Sequence, residues 1–219
     1  VAAQNGGEAL HPGYAAFLAA LVDRRIGLGQ TLRQDELCEI LGISLSPMRE
    51  ATTLLEADGL VSVRRRVGIT IFYPDVRFMR ETFQFRGLLE REGLRRFVRS
   101  TPAGWVAQSR KAHREILKFV EDVDDERKYR GPIRALEDEF HGAFVGAFAN
   151  SEMSSVYRRL QRKMYLLRLL NPDAVNTQST LQAMREHLAI IDAVEARSPD
   201  GAAEALDRHL QGVLHRTLG

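Results

Sequence analysis

The chain has 219 residues, which is enough for one large domain or two small ones. Hydrophobic residues make up 44% of the chain and charged residues 27%, which suits a packed core inside a polar surface. No apolar run is long enough to cross a bilayer, and the first residues lack the basic end and apolar stretch of a secretory signal. Together with the single cysteine, Cys38, these features predict a cytoplasmic protein with no membrane partner.

The net charge of +2 does not by itself identify a partner. Residues 1–75 contain 7 arginines and no lysine against 9 acidic residues, so the first third of the chain is not basic. Bulk positive charge therefore does not explain what this segment binds, and any contact with a polyanion must depend on a few placed side chains.

Three helices are predicted in the first third. Apolar side chains recur at helical spacing over residues 14–25 and again within 33–41, and Gly42 then supplies a chain reversal. The third helix is expected to have Ser46 as its N-cap and Pro47 in its first position. Its expected end is Ala57, and its expected inward side chains are Met48, Ala51, Leu54 and Leu55.

The stretch LVSVRRRVGITIFY changes from helical to alternating periodicity. Val61 and Val63 share one face, Ile69 and Ile71 share a face of a second segment, and residues 64–68 form the turn between the segments. Three helices followed by a hairpin, with a tight turn between the second and third helices, predict a winged helix-turn-helix.

The chain after Pro74 is predicted to be helical throughout, with breaks at glycine, proline, asparagine and aspartate. The six predicted helices are 76–100, 102–123, 128–149, 152–170, 178–197 and 199–218. Helices of this length bury their apolar faces against one another, so they should form one bundle. The predicted fold is therefore mostly α, with a winged helix-turn-helix domain at 1–75 and an all-α bundle at 76–219.

Arg49 lies in the first turn of the third predicted helix, where the helix dipole disfavours a cation. DNA would compensate that mismatch, because the start of this helix enters the major groove in helix-turn-helix proteins. Arg64, Arg65 and Arg66 at the hairpin tip add a compact patch for the phosphate backbone or the minor groove. The alternatives are a solvated turn and a winged helix that binds another protein.

The segment LRQDELCEILGISLSPMREATTLLEADGLVSVRRRVGITI resembles the DNA-binding domain of GntR-type transcription regulators, over about residues 14–73. The resemblance implies contacts with double-stranded operator DNA from Ser44, Ser46, Arg49 and Gly68. Many members have arginine at the positions of Leu45 and Asp35, so the resemblance also implies an operator that departs from the common family pattern.

Three histidines lie on the apolar faces of three predicted helices: His141, His187 and His209. Neutral imidazoles that converge on a cavity can bind a metal ion, although a hydrogen-bonded core histidine is the simpler interpretation of each one. Glu137 lies one turn before His141 on the same side of the helix, and Asp138 is also within reach. His113 and His215 have no convergent partner and are expected to lie outside the cluster.

The helical part, about residues 76–218, resembles the FCD ligand-binding domain of the FadR subgroup of GntR regulators. The resemblance rests on FQFRGLLE, EDEFHGAFVGAFAN and MREHLAIIDAVEARSPDGAAEALDRHL. That family commonly binds a metal through one aspartate and three histidines. The implied ligands are His141, His187, His209 and, in place of the aspartate, Glu137, with Asp138 as the alternative. The implied cofactor is a divalent metal ion, zinc or nickel.

Arg86 is a further candidate, because it shares a helix face with apolar side chains and is predicted to point inward. A buried arginine needs an anionic partner, and Glu90 on the next turn is the simple one. The FCD resemblance implies a second partner, a small carboxylate effector beside the metal, with Tyr165 and Arg168 lining the same cavity.

These expectations together predict a ligand-responsive transcription regulator that is not an enzyme. As a homodimer, it would read a pseudo-palindromic operator through two winged helices. One alternative is the same regulator with a purely structural metal and no small-molecule effector. The other is a metal-dependent enzyme in which the ion activates water.

Overall fold

The computed structural model describes residues 11–123, 125–170 and 176–218, with the backbone alone at residues 126–127 and 167–170. The chain forms two compact units, of which the first ends at Pro74 and the second begins at Asp75. Among the described residues, no helix has both the length and the apolar character that a membrane span requires.

The first unit, as described from residue 11 onward, contains three helices and a small sheet. The elements are α1 (Pro12–Val22), α2 (Gln34–Leu41), α3 (Leu45–Ala57), β1 (Thr31–Leu32), β2 (Val61–Arg64) and β3 (Gly68–Ile71). The strands are antiparallel in the order β1-β3-β2, so the predicted hairpin gains an additional strand. The sequence predicts a loop at β1, because two residues are too few to show alternation. The unit is a winged helix-turn-helix, as predicted.

The start of α3 differs from the prediction. Gly42 adopts the expected left-handed backbone, with φ of 67°. The N-cap is Ser44 and not Ser46, and the Ser44 carbonyl oxygen accepts a hydrogen bond from Met48 N at 3.2 Å. Pro47 therefore occupies the third helical position, which α3 tolerates because N–H groups in the first turn have no intrahelical acceptor.

The core of the first unit contains apolar side chains from each helix. Its fully buried members include Phe17, Leu37, Met48, Leu55 and Leu60. Leu54, which was predicted to point inward, is instead 45% exposed, and so is Val63, which was predicted to share a face with the buried Val61. The buried face of α3 consists of Met48, Ala51, Thr52 and Leu55, so Leu54 lies on the exposed side of the helix. The buried hydroxyl of Thr52 is satisfied because its Oγ1 donates to Met48 O at 2.7 Å. Val63 lies on the edge strand β2, in which Val61 alone is buried.

The second unit is a helical bundle, as predicted. Its helices are α4 (Val76–Arg99), α5 (Trp105–Asp122), α6 (Glu126–Gly146), α7 (Ser151–Leu170), α8 (Thr177–Glu195) and α9 (Pro199–Leu218). Every predicted end lies within three residues of the observed one. α4 packs against α6 and α9, and α8 packs against α5 and α9. These contacts bring side chains from α4, α5, α6, α8 and α9 into one interior.

α4 and α6 approach each other closely at Gly93. A Cβ atom at this position would lie 2.3 Å from the carbonyl oxygen of Phe144. Glu90 and His141 each lie three residues before these two positions, and they meet at 2.7 Å across the same helix pair. The glycine therefore allows the helix spacing on which this polar contact depends.

Gly93→Ala should destabilise the protein, because the added methyl group meets the backbone of α6. We expect a loss of about 2 kcal/mol or more, as for an overpacked core, measured as a lower midpoint of thermal unfolding by circular dichroism. Gly87→Ala is the matched control on the same helix, since a Cβ there has nothing within 4 Å. Alanine at that control position should stabilise the helix by about 0.5–1 kcal/mol. Equal effects of the two changes would contradict the close approach.

Candidate metal centre and nucleic-acid interface

Three histidine side chains meet in the interior of the second unit. His141 projects from α6, His187 from α8 and His209 from α9, and each is at most 2% exposed. The Nε2 atom of His187 lies 3.2 Å from His141 Nε2 and 3.1 Å from His209 Nε2. One ring nitrogen of each residue lies within 4.8 Å of the others, and we call this group the histidine triad.

The other nitrogen of each triad ring, Nδ1, has its own hydrogen-bond partner. The partners are Glu90 Oε2 for His141 at 2.7 Å, Glu186 Oε2 for His209 at 2.8 Å and His113 Nε2 for His187 at 3.1 Å. For His141 and His209 these partners place the ring proton on Nδ1, because an ionised carboxylate accepts hydrogen bonds and does not donate them. For His187 the same assignment follows from His113, whose Nδ1 donates to the backbone carbonyl oxygen of Ser109 and whose Nε2 is then an acceptor. With Nδ1 as the donor, the neutral rings present their Nε2 lone pairs to one another.

Lone pairs that face one another at hydrogen-bond distance repel unless a proton or a cation lies among them. Two nitrogen ligands of one ion, each at about 2.0–2.1 Å, lie about 3.0 Å apart at an octahedral angle and about 3.4 Å apart at a tetrahedral angle. The separations of 3.2 and 3.1 Å in the triad fall within that range. The donor set therefore fits a divalent metal ion.

Burial favours the neutral forms of His187 and His209. Burial lowers the pKa of His187 well below its ordinary value, and the neighbouring His209 and His141 lower it further. Burial also lowers the pKa of His209, although the hydrogen bond to Glu186 opposes that effect. A neutral imidazole is the form that binds a metal, so the site is prepared to accept a cation without first releasing protons from these two rings.

Of the two carboxylates considered as a fourth ligand, Glu137 is the one beside the triad. Its Oε1 atom lies 3.7 Å from His187 Nε2, and its side chain is 15% exposed. Asp138 Oδ2 lies 3.6 Å from Arg134 Nε, and its side chain is 46% exposed. This difference in position favours Glu137 over Asp138 as the carboxylate ligand.

Glu90 connects the triad to a buried ion pair. Its Oε1 atom accepts hydrogen bonds from Arg86 Nε at 2.5 Å and from the Tyr157 hydroxyl at 2.6 Å, while its Oε2 atom accepts from His141 Nδ1. Burial alone would raise the pKa of Glu90, but Arg86 and His141 outweigh it and hold the pKa well below its ordinary value. Arg86 is therefore paired with Glu90, as its position in the sequence predicts, whereas the link to His141 was not predicted.

A partly open pocket adjoins this network. It encloses about 360 Å³ of empty space, including solvent at its mouth. The pocket is lined by Arg86, Arg134, Glu137, Asp138, His141, Tyr157, Gln161, Met164 and Tyr165. Two of the predicted effector-binding residues, Arg86 and Tyr165, thus line one pocket with a triad histidine. The third, Arg168, lies outside the described side chains.

The prediction that His113 lies outside the cluster is wrong. Its side chain is completely buried on α5, and its Nε2 atom contacts His187 Nδ1. The sequence contained a pattern that indicates the burial of His113, because Ser109, His113 and Val120 have the spacing of one helix face. In the structure all three are buried. His215, by contrast, is exposed near the end of α9, as predicted.

Glu186 is a second residue that the sequence analysis missed. Besides His209, it accepts hydrogen bonds from Arg216 Nη1 and Nη2, each at 2.9 Å. Burial raises the pKa of Glu186, but the bonds from His209 and Arg216 outweigh that effect and lower the pKa to about 2. Its position directly before His187 in the sequence concealed its role, because its partner is on another helix.

In the first unit, the start of α3 is exposed. Ser44, Leu45, Ser46 and Arg49 are all solvent-accessible, while Met48 on the opposite side of the helix is completely buried. Leu45 is 46% exposed in this otherwise polar group. The N-cap and first turn of α3 thus present two hydroxyl groups and one apolar side chain to solvent, and the guanidinium of Arg49 follows at the start of the second turn, not in the first turn as predicted.

The hairpin tip forms a second exposed group. Arg64, Arg65 and Arg66 are exposed, and Arg66 adopts a positive φ of 65° in the turn. Gly68 has φ of 128°, and a Cβ atom there would lie 2.5 Å from Leu32 O. Gly68 is therefore required by the contact between β1 and β3, and any contribution to DNA contact would come from its backbone.

A winged helix-turn-helix followed by a helical bundle is the architecture of a class of DNA-binding regulators. Residues 14–71 match bacterial regulatory proteins of the gntR family, and residues 81–212 match the FCD domain. The chain belongs to the GntR family of transcription regulators and carries an FCD domain. Members of this family are DNA-binding regulators rather than enzymes; they bind operator DNA and commonly act as dimers.

Individual relatives agree with this assignment. The uncharacterised HTH-type transcriptional regulator BphR of Paraburkholderia xenovorans (strain LB400) is 27% identical over 203 residues, covering 88% of this chain and 78% of the relative. A solved GntR regulator from Rhodococcus sp. RHA1 has a TM-score of 0.72 at 20% identity, covering 95% of this chain and 97% of its own, and so shares the fold. The metal-free FCD domain of the regulator TM0439 has a TM-score of 0.50 at 25% identity, covering 66% of this chain and 94% of its own. That domain has also been solved with bound Zn²⁺.

Glu90→Ala should strongly destabilise the protein, because it leaves Arg86 buried without its anionic partner. Removing one member of a buried pair costs about 3–5 kcal/mol, so the thermal midpoint measured in the presence of a chelator should fall by many degrees. Glu81→Ala is the matched control, since Arg77 and Glu81 form a pair of the same spacing on α4 that is exposed. A control midpoint that falls as far as that of Glu90→Ala would show that burial is not the cause.

Proposed function

We propose that this regulator senses a small carboxylate through a metal centre in its helical unit and, as a homodimer, changes its affinity for operator DNA in response. The proposed metal ligands are His141, His187, His209 and Glu137. The proposed effector-binding residues are Arg86, Tyr165 and Arg168. The observation that carries the proposal is the convergence of ring nitrogens from three buried histidines, His141, His187 and His209, beside a pocket.

The chemistry of the donor set supports a borderline divalent ion. Three imidazole nitrogens and one carboxylate suit zinc or nickel better than the hard cations, which prefer sites made entirely of oxygen. Glutamate in place of the family's aspartate is longer by one methylene, and Glu137 Oε1 already lies 3.7 Å from His187 Nε2. When bound, the ion would supply positive charge that attracts an anionic effector.

The pocket supports an effector that is small and anionic. The space in the pocket that is open to a water-sized sphere is only about 30 Å³, so the ligand that it admits must be small. Arg86 lines the pocket with a charged guanidinium group. Burial lowers the pKa of Arg86, but the neighbouring Glu90 carboxylate outweighs burial and holds the pKa above its ordinary value. Arginine binds carboxylates through paired N–H donors, so a carboxylate is the ligand class that fits both the arginine and the metal.

For the DNA interface, we place the recognition surface on the start of α3 and on the hairpin tip. Arg49 would contact a guanine or a phosphate in the major groove, with Ser44 and Ser46 donating to the backbone. The three hairpin arginines would bind phosphates or enter the minor groove, and the backbone of Gly68 would contact the DNA beside them. Two such surfaces in a homodimer would bind half-sites related by the two-fold axis of the dimer.

His187→Ala should abolish tight Zn²⁺ binding, because it removes the ring that is in contact with both other members of the triad. We expect the dissociation constant to rise at least about 100-fold, beyond the effect that is typical of losing an outer partner. Competition with a chromophoric chelator measures it, for Zn²⁺ and then for Ni²⁺. His215→Ala, at an exposed histidine near the end of α9, should leave the affinity unchanged. A wild-type protein that binds neither ion tightly would overturn the metal assignment.

The effector and DNA assignments can be tested with one DNA duplex, selected from a random-sequence library by the metal-loaded wild-type protein. An effective carboxylate, found by screening mono-, di- and hydroxycarboxylates for thermal stabilisation, should change duplex affinity roughly 5- to 150-fold. Arg86→Lys keeps the charge but loses the planar donor pair, so it should bind the duplex normally and respond weakly to the acid.

Arg49→Ala supplies the reciprocal control in the same experiment. It should lower duplex affinity at least about tenfold, which corresponds to the roughly 1–3 kcal/mol of a good base contact, while the acid still raises its thermal midpoint. Unchanged affinity would remove Arg49 from the interface. If no acid affects either the midpoint or the affinity while Zn²⁺ still binds, the metal is structural and the effector proposal is wrong.

A further inference from the structure

His113 is buried beside the triad but is too far along its hydrogen-bond chain to be a ligand. It projects from α5, and its Nε2 atom lies 3.1 Å from His187 Nδ1, the ring nitrogen of His187 that does not face the triad. Its own Nδ1 atom lies 2.7 Å from the backbone carbonyl oxygen of Ser109. The chain of contacts therefore runs from a backbone carbonyl, through two imidazoles, to the triad.

The backbone carbonyl fixes the direction of every hydrogen bond in this chain. A carbonyl oxygen can only accept, so His113 Nδ1 must carry the proton that is donated to Ser109. In a neutral ring, His113 Nε2 is then an acceptor, and it takes its hydrogen bond from His187 Nδ1. The His187 proton is thereby held on Nδ1, and its Nε2 lone pair is left to face His141 and His209.

Aromatic packing holds both imidazoles of this chain in place. The Phe140 ring stacks on His187 with centroids 4.5 Å apart and an interplanar angle of 27°. The same ring meets His113 edge to face at a centroid distance of 4.8 Å. Neither ring can turn without disturbing Phe140, so the orientation is set by packing and the tautomer by the carbonyl.

His187 differs from the other two triad members in having a neutral outer partner. His141 and His209 donate to the carboxylates of Glu90 and Glu186. The outer partner of His187 is instead the imidazole of His113. A third carboxylate would add negative charge to a site that already holds two such partners, whereas a neutral imidazole fixes the tautomer without adding charge.

We propose that His113 is a positioning residue that holds His187 in the metal-binding tautomer and thereby sets the metal affinity of the centre. This inference rests on the proposed metal site. His113 does not touch the ion, so its effect on metal affinity must pass through His187.

Two variants separate positioning from packing. His113→Phe keeps a flat ring against Phe140 but leaves His187 Nδ1 without an acceptor, and it should weaken Zn²⁺ binding about 10- to 100-fold, as is typical for an outer partner. His113→Gln offers an amide oxygen and an amide N–H, so it should recover most of that affinity. Competition with a chromophoric chelator gives the dissociation constants, and the thermal midpoints with a chelator show whether each variant is folded. Equal Zn²⁺ affinities of the wild type and a folded His113→Phe would overturn the inference.

Long-range ¹H–¹⁵N correlation spectra of the metal-free wild-type protein provide a test that needs no variant. The imidazole nitrogen shifts should show the proton on Nδ1 in both His113 and His187. A His187 ring with its proton on Nε2 would overturn the inference even if the protein binds zinc. A wild-type protein with the expected tautomers but no affinity for Zn²⁺ or Ni²⁺ would instead contradict the proposed metal site, so the two failures are distinguishable.

Discussion

The proposed metal centre depends on where three protons are held. His141, His187 and His209 can present lone pairs to one another only because each Nδ1 proton is already committed to an outer partner. That arrangement is unfavourable without a cation, since three acceptors face one another in a buried space. The fold therefore holds an unfavourable local arrangement in place by means of the contacts around it, as is common at functional sites.

The cost of this arrangement extends from the triad into the rest of the bundle. Glu90 must be buried to reach His141, and a buried carboxylate requires Arg86 and Tyr157 as donors. The distance between α4 and α6 must also be short, which Gly93 allows because it has no Cβ to meet Phe144. One polar contact thus accounts for an ion pair, a buried hydroxyl and a glycine, and it explains why these features occur together on α4, α6 and α7.

The sequence predicted the parts of this structure that depend on local spacing. Helix bounds, the apolar faces that carry the triad and the pairing of Arg86 with Glu90 all follow from periods of three to four residues. Partners that lie on different helices leave no such pattern, which is why the roles of His113 and Glu186 were missed. Strand β1 and the N-cap at Ser44 were missed for a related reason. A strand of two residues is too short to show alternation, and the local pattern does not distinguish Ser44 from the nearby Ser46 as the N-cap.

The composition of the first third of the chain bears on how large the proposed regulatory signal needs to be. With 7 arginines and no lysine against 9 acidic residues in residues 1–75, non-specific attraction to phosphates contributes little there. In the proposed interface, operator affinity would then come from a few contacts at the start of α3 and at the hairpin tip, each contributing about 1–3 kcal/mol. In the proposed mechanism, coupling of about 1–3 kcal/mol from an effector equals the gain or loss of one such contact, so a modest bias in the helical unit would be enough to change DNA affinity. A strongly basic domain would need a larger bias, because its affinity would be spread over many contacts that do not depend on the dimer geometry.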